Sequence, residues 1–178
     1  MTSDPRHTQT GSPVSHSDLE KRLLERDAAR LFMRRYEQDF NEPMRHIWHN
    51  EPSKPDISCY FQGKPLDLEI AHLYATSEEA KHVRDRDNTD LIWHYLEELT
   101  AVDPCDRLRA ALLSLLHSKA KKHYESDRVW LVIRNVSPIW TRSELLNVAM
   151  TFDETDYPFE QIWLLPDFDG EQPLIQIV

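Results

Sequence analysis

Between Lys54 and Ala71 apolar and polar residues alternate on both sides of a Gln62-Gly63 pair, which predicts two strands joined by a two-residue turn. With that turn, Phe61 pairs with Lys64, and counting back sets Asp56 opposite Glu69. Side chains point alternately to the two faces of a strand. One face of the hairpin therefore carries Ile57, Cys59, Leu66, Leu68 and Ile70 and is apolar. The other carries Asp56, Ser58, Tyr60, Asp67 and Glu69.

Upstream, residues 1–16 are polar and aperiodic, as expected of a disordered leader. Ser17 with Glu20 makes a capping box, and Leu24, Ala28, Leu31, Phe32, Tyr36 and Phe40 follow at helical spacing. Met44 to His49, holding Ile47 and Trp48, predicts a first strand. Beyond Tyr74 the pattern turns helical, with Ser77 as a cap, a polar break over 85–88, and a helix from Asn88 or Thr89 carrying Leu91, Ile92, Tyr95, Leu96 and Leu99. Asp103-Pro104 starts the next helix as N-cap and first-turn proline. Its face runs Leu108, Leu112, Leu115, Lys119, Lys122, apolar at first and then basic. The continuous apolar run within Arg128 to Asn135 predicts a strand buried on both faces. Thr141 with Glu144 caps a further helix, Gln161 to Pro166 is a second buried strand, and Leu174 to Val178 closes an edge after a turn at 167–172. These elements predict one α/β (α+β) domain over residues 17–178.

Composition narrows the class. A chain of 178 residues with a net charge of −10 and a pI near 5.3 is too acidic for a non-specific nucleic-acid coat. Local patches and metal ions can still bring an acidic protein to phosphate. No apolar run is long enough to span a membrane and the first residues lack a signal peptide's apolar core, so a reducing cytoplasm is the expected compartment. Cys59, on the apolar face of the hairpin, is expected to be a buried thiol. Three glycines cannot build a phosphate-binding loop, and the nine histidines share no zinc-ligand spacing.

The candidate chemistry lies on the hairpin's polar face. Like charges facing each other across a sheet repel, and a cation or a proton relieves them. Clustered carboxylate oxygens suit Mg²⁺ or Mn²⁺; the plainer alternative is a wet face screened by water and salt. Two basic features have equally plain alternatives. Arg22, Arg26, Arg30 and Arg34, four residues apart, form either a phosphate-contacting ridge or a solvated helix face. Lys119 and Lys122, ending an apolar stripe, either snorkel to water or reach an anion.

Pro55-Asp56, a tight glycine turn, and Asp67-Leu68-Glu69 or Glu69-Ile70-Ala71 resemble the motif of the PD-(D/E)XK, restriction-endonuclease-like nuclease superfamily. The run is most similar to uncharacterised bacterial members whose signature ends in Ile-Glu-Val/Ile. In that alignment Glu69 is the motif acid, and Ala71 stands where the family usually keeps lysine. Those members also resemble this chain in a lysine-rich run before a strong apolar strand, here Lys119 to Tyr124, which offers a substitute. The resemblance implies an αβββαβ core over Ser17 to Asn135, with a mixed central sheet flanked by helices and an α/β extension at the C-terminus, and Mg²⁺- (or Mn²⁺-) dependent hydrolysis of DNA phosphodiesters. Asp56 and Glu69 would be catalytic metal ligands, with Asp67 as an auxiliary acid. Lys119 or Lys122 would stabilise developing charge, and Glu37 on the first helix is a further candidate acid. A second expectation, motivated by Ala71 and the acidity, is a non-catalytic binding or assembly module on the same fold. A homodimer is compatible with the sequence.

Overall fold

A computed structural model of the chain describes residues 16–50, 54–75, 103–152 and 157–178. The helices expected from Ser77 and from Asn88 or Thr89, and residues 1–15 of the expected leader, lie outside the described residues.

Helix α1 (His16–Phe40) leads into strands β1 (Met44–His49), β2 (Ile57–Phe61) and β3 (Lys64–Leu73). Helix α2 (Pro104–Ala120), strand β4 (Val129–Asn135), helix α3 (Arg142–Ala149) and strands β5 (Gln161–Leu165) and β6 (Ile175–Gln176) follow. The six strands form one sheet in the order β1-β2-β3-β4-β5-β6. Antiparallel pairs flank a parallel centre of β3, β4 and β5, so the sheet is mixed. The crossover from β3 to β4 carries α2 and that from β4 to β5 carries α3, as parallel neighbours require.

The β2–β3 hairpin has the expected register, Phe61 against Lys64 and Ser58 against Asp67. Its turn needs φ > 0 at both central residues, and Gln62 (φ 51°) and Gly63 (φ 74°) supply it. A Cβ at Gly63 would touch nothing within 4 Å, so backbone conformation, not space, calls for glycine there. Strand β1 follows its predicted bounds but carries a bulge between Arg45 and Trp48, with His46 at φ 56°.

Each face of the sheet buries its own core. On one side α1 packs Ala28, Ala29, Phe32 and Tyr36 against Ile57, Cys59, Leu66, Leu68 and Ile70, the apolar face expected of the hairpin. Trp130 of β4 is fully buried there, with its ring 5.2 Å from Phe61, 5.5 Å from Tyr36 and 6.3 Å from Trp163. On the other side α2 and α3 cover β3 to β5 through Leu108, Leu112, Leu116, Leu145 and Val148. All seven residues of β4 are buried, as its unbroken apolar run requires.

Two details of α1 differ from expectation. The helix already includes His16, so Ser17 lies inside its first turn instead of capping it. The buried stripe is Glu25, Ala28, Ala29, Phe32 and Tyr36, rotated from the predicted one, while Phe40 is largely exposed. Arg134 on β4 fixes this docking. Its buried guanidinium meets Asp27 of α1 at 2.9 Å, donates to the Phe168 carbonyl at 2.9 Å, and stacks 3.7 Å over the Phe168 ring. The other two helix starts agree with the sequence. Asp103 accepts from the Cys105 backbone N–H, and Thr141 and Glu144 close a complete capping box.

Candidate functional site

Asp56 sits just before β2, its carboxylate Oδ2 accepting a 2.9 Å hydrogen bond from the Ile70 backbone N–H of β3. That bond ties the Pro-Asp segment across the hairpin, beside Glu69. Burial and the Glu69 charge hold the Asp56 carboxyl above its usual range, outweighing the Ile70 bond and the pull of Lys119 and Lys21. Its other oxygen receives no hydrogen bond from the described residues.

Glu69 is only 2% exposed. Its Oε1 accepts from Lys119 Nζ at 2.6 Å and from Lys122 Nζ at 3.0 Å. Lys119 also donates to the Ile70 carbonyl at 2.7 Å, so one ammonium clamps two successive residues of β3. The apolar side of α2 (Leu108, Leu112, Leu116) seats on the sheet and delivers the helix's last turn to the acidic strand. Lys122 comes from just past the helix, after the Lys121 C-cap. Tyr124 then folds back, its hydroxyl donating to the Lys119 carbonyl at 2.9 Å. Burial and the Glu69 and Asp56 charges push the Tyr124 phenol up, so it stays protonated at neutral pH.

The solvated-face alternative for the hairpin therefore fails at its centre. Glu69 and Ser58 are buried, and Asp56 beside Glu69 is desolvated. Asp67 stands two residue pairs along the hairpin from Glu69, opposite Ser58. It is held by a short hydrogen bond from Ser58 Oγ, and Asn50 Nδ2 donates to the same Ser58 oxygen at 2.7 Å. Glu37 is placed elsewhere. It makes a bidentate pair with Arg45 on β1, both bonds at 2.9 Å, and this pair holds its carboxyl below the usual range.

The acid that α1 brings to the site is Glu25, which sequence reasoning missed. It is 7% exposed, and its carboxyl is raised first by burial and then by the Asp56 charge, while Lys21 and Lys119 pull it down. Lys21 reaches it at 3.5 Å. The signal was present in the sequence, because Glu25 precedes Ala28, Ala29, Phe32 and Tyr36 by three, four, seven and eleven residues, the spacing of a single helix face.

Glu25, Lys21, Ile70, His72 and Lys119 are among the residues lining a cavity of about 750 Å³ between the first half of α1, β3 and the end of α2. The His72 ring nitrogen Nε2 is buried there without a hydrogen-bond partner among the described residues. Burial, Arg134 and Lys119 push the His72 pKa down to about 4, so the ring is neutral at pH 7. Ala71 is buried in the core on the α2 side and also lines this cavity.

The Asp56 and Glu69 carboxylates and the Ile70 carbonyl are hard oxygen donors of the kind an oxygen-preferring divalent cation takes, whereas the Lys119 and Lys122 ammoniums are cations with no lone pair to offer it. Asp56, desolvated and with one oxygen free, is the group that such a cation would relieve most. Among the described residues, no three His, Cys, Asp or Glu side chains already stand together as a metal-holding group, and the Lys119 ammonium bridges Glu69 and the Ile70 carbonyl. No described helix is long and apolar enough to cross a membrane. No protein-family model, no curated protein and no solved structure matches the chain.

Proposed function

We propose that the chain is a PD-(D/E)XK-like phosphodiesterase acting on DNA, with its lysines supplied by α2 in place of the residue at Ala71. One observation carries this reading: Lys119 and Lys122 reach Glu69 from 50 and 53 residues away, beside the buried Asp56. A hydrogen-bonded acid–lysine group assembled from three separate chain segments has the residue types that phosphodiester hydrolysis needs. The order α1-β1-β2-β3-α2-β4 agrees with an αβββαβ core.

In this reading Asp56 and Glu69 would hold Mg²⁺ or Mn²⁺, and Asp67 orders the hairpin through Ser58. A bound divalent cation would lower the pKa of a water molecule and shield phosphate charge. The protein's own contribution is electrostatic. Lys119 and Lys122 place two ammoniums at the acidic strand, where they offset the negative charge that gathers on a phosphate oxygen as it is attacked. Tyr124 is protonated and His72, with its pKa down at about 4, is only a weak base, which favours the carboxylates for proton removal.

The test is cleavage of plasmid and linear DNA with Mg²⁺ or Mn²⁺, beside an Asp56→Ala control. Cleavage lost in the control supports the reading, whereas no cleavage, or equal cleavage in both proteins, overturns it. A second reading has its own observation. The ammoniums already neutralise Glu69 without a metal, which suits a non-catalytic binding module.

A further inference from the structure

Helix α1 presents two different sides to the site. Its inner side carries Glu25 toward Asp56, while Arg22, Arg26 and Arg30 stand exposed at four-residue intervals along an outer side. Successive members are about 6 Å apart along the helix axis, and each is rotated only slightly from the last. None of the three makes a hydrogen bond or ion pair with a described residue. Other arginines are engaged: Arg34 with Asp169 and Glu171, Arg35 with Asp39, Arg45 with Glu37, Arg128 with Glu160 and Arg134 with Asp27. In a chain with 31 acidic residues and 21 basic ones, this row of guanidiniums thus has no carboxylate partner among the described residues.

The row also adjoins the carboxylate centre. His49 of β1 pairs with Ile57, the neighbour of Asp56, the adjacent Asn50 backbone N–H donates to the Asp56 carbonyl at 3.2 Å, and Arg22 and Arg26 add to burial in lowering the His49 pKa. The near end of the row is therefore separated from Asp56 by one residue of β1. Guanidiniums without internal partners, evenly spaced and leading to a buried acid, complement a ligand whose negative charges repeat along a line.

We propose that Arg22, Arg26 and Arg30 form the track that binds the phosphodiester backbone of DNA and leads it to Asp56. The proposal deepens the phosphodiesterase reading and rests on its choice of DNA, but binding along the track does not require turnover. Each arginine that neutralises a phosphate releases a counterion, so the signature is salt dependence. Leu19 (50% exposed) and Leu23 (66% exposed) lie on the same part of α1, and they make an anionic lipid surface the rival partner.

The experiment titrates full-length Asp56→Asn protein, in EDTA, against fluorescently labelled single-stranded and duplex DNA by anisotropy over a range of salt. The R22Q/R26Q variant is compared with K64Q/R109Q, which removes the same charge from exposed positions on β3 and α2. We expect R22Q/R26Q to weaken binding at least about tenfold, and its plot of log K against log salt to flatten by about 2. The control should stay near the parent. Equal losses in the two variants, no binding by the parent, or binding to phosphatidylserine vesicles in place of DNA would overturn the track. The cleavage reading can fail on its own, with the track intact and no turnover in the protein with Asp56 restored. The track can likewise fail alone, if metal-dependent cleavage persists unchanged in R22Q/R26Q.

Discussion

Lys119 Nζ lies 2.6 Å from Glu69 Oε1, joining the end of α2 to the middle of β3. Lys122 meets the same oxygen at 3.0 Å but is half exposed, whereas the Lys119 side chain is 18% exposed. The two lysines thus share one partner in two different environments.

That difference sets unequal mutational costs. Lys119→Met leaves a buried carboxylate with a single, wetter partner and frees the Ile70 carbonyl, for a loss of about 3 kcal/mol. Lys122→Met removes a pair that water already screens, and should cost less than about 1 kcal/mol. Urea denaturation of both variants checks the order. Equal losses would mean that the burial of Lys119 adds nothing.

Asp56 and Glu25 predict an unusual pH response. Both carboxyls are raised by burial first, then Asp56 by the Glu69 charge and Glu25 by the Asp56 charge. A carboxyl raised in the folded state binds its proton more tightly folded than unfolded. Its stabilising contribution is therefore full below the unfolded pKa and is lost as pH rises through the folded pKa. Asp56→Asn should raise the melting temperature of metal-free protein at neutral pH and reduce the decline between acid and neutral pH. A lower melting temperature would show that Asp56 is needed for structure more than for chemistry.

Divalent metal should act on the same groups. Mg²⁺ or Mn²⁺ at a hundred times its dissociation constant adds about 2.7 kcal/mol to the native state. Thermal melts should shift upward with either ion in the parent and stay fixed in Asp56→Ala. A parent that does not shift favours the non-catalytic module.

The two cysteines should separate in a thiol titration. Cys59 is buried in the α1 core, and burial followed by the Asp67 charge pushes its pKa up to about 12. Cys105 is exposed in the first turn of α2. Native protein should show one fast-reacting thiol and denatured protein two. Two fast thiols in native protein would contradict the packing of β2.

The sequence by itself determined the local elements, because each rests on contacts between near neighbours. Strand alternation and the Gln62-Gly63 turn set the hairpin register from Phe61–Lys64 to Ser58–Asp67. The Asp103 and Thr141 caps set the starts of α2 and α3, and the unbroken apolar run made β4 a strand buried on both faces. The same alternation put Asp56 and Glu69 on one side, and the stripe on α2 pointed Lys119 and Lys122 the same way.

Tertiary packing decided the rest. The rotation of α1 on the sheet is set by how Ala28, Ala29 and Phe32 seat against β2, β3 and Trp130, and by Arg134 pulling on Asp27. A small turn of that helix exchanges Leu24 for Glu25 at the sheet, so Glu25 joined the site and Glu37 was left to Arg45. Which hairpin acids lose water was equally non-local. Glu69 is buried because α2 crosses it with two lysines, while Asp67 is taken up by Ser58. A helix's pattern states which residues share a face; only docking states what that face meets.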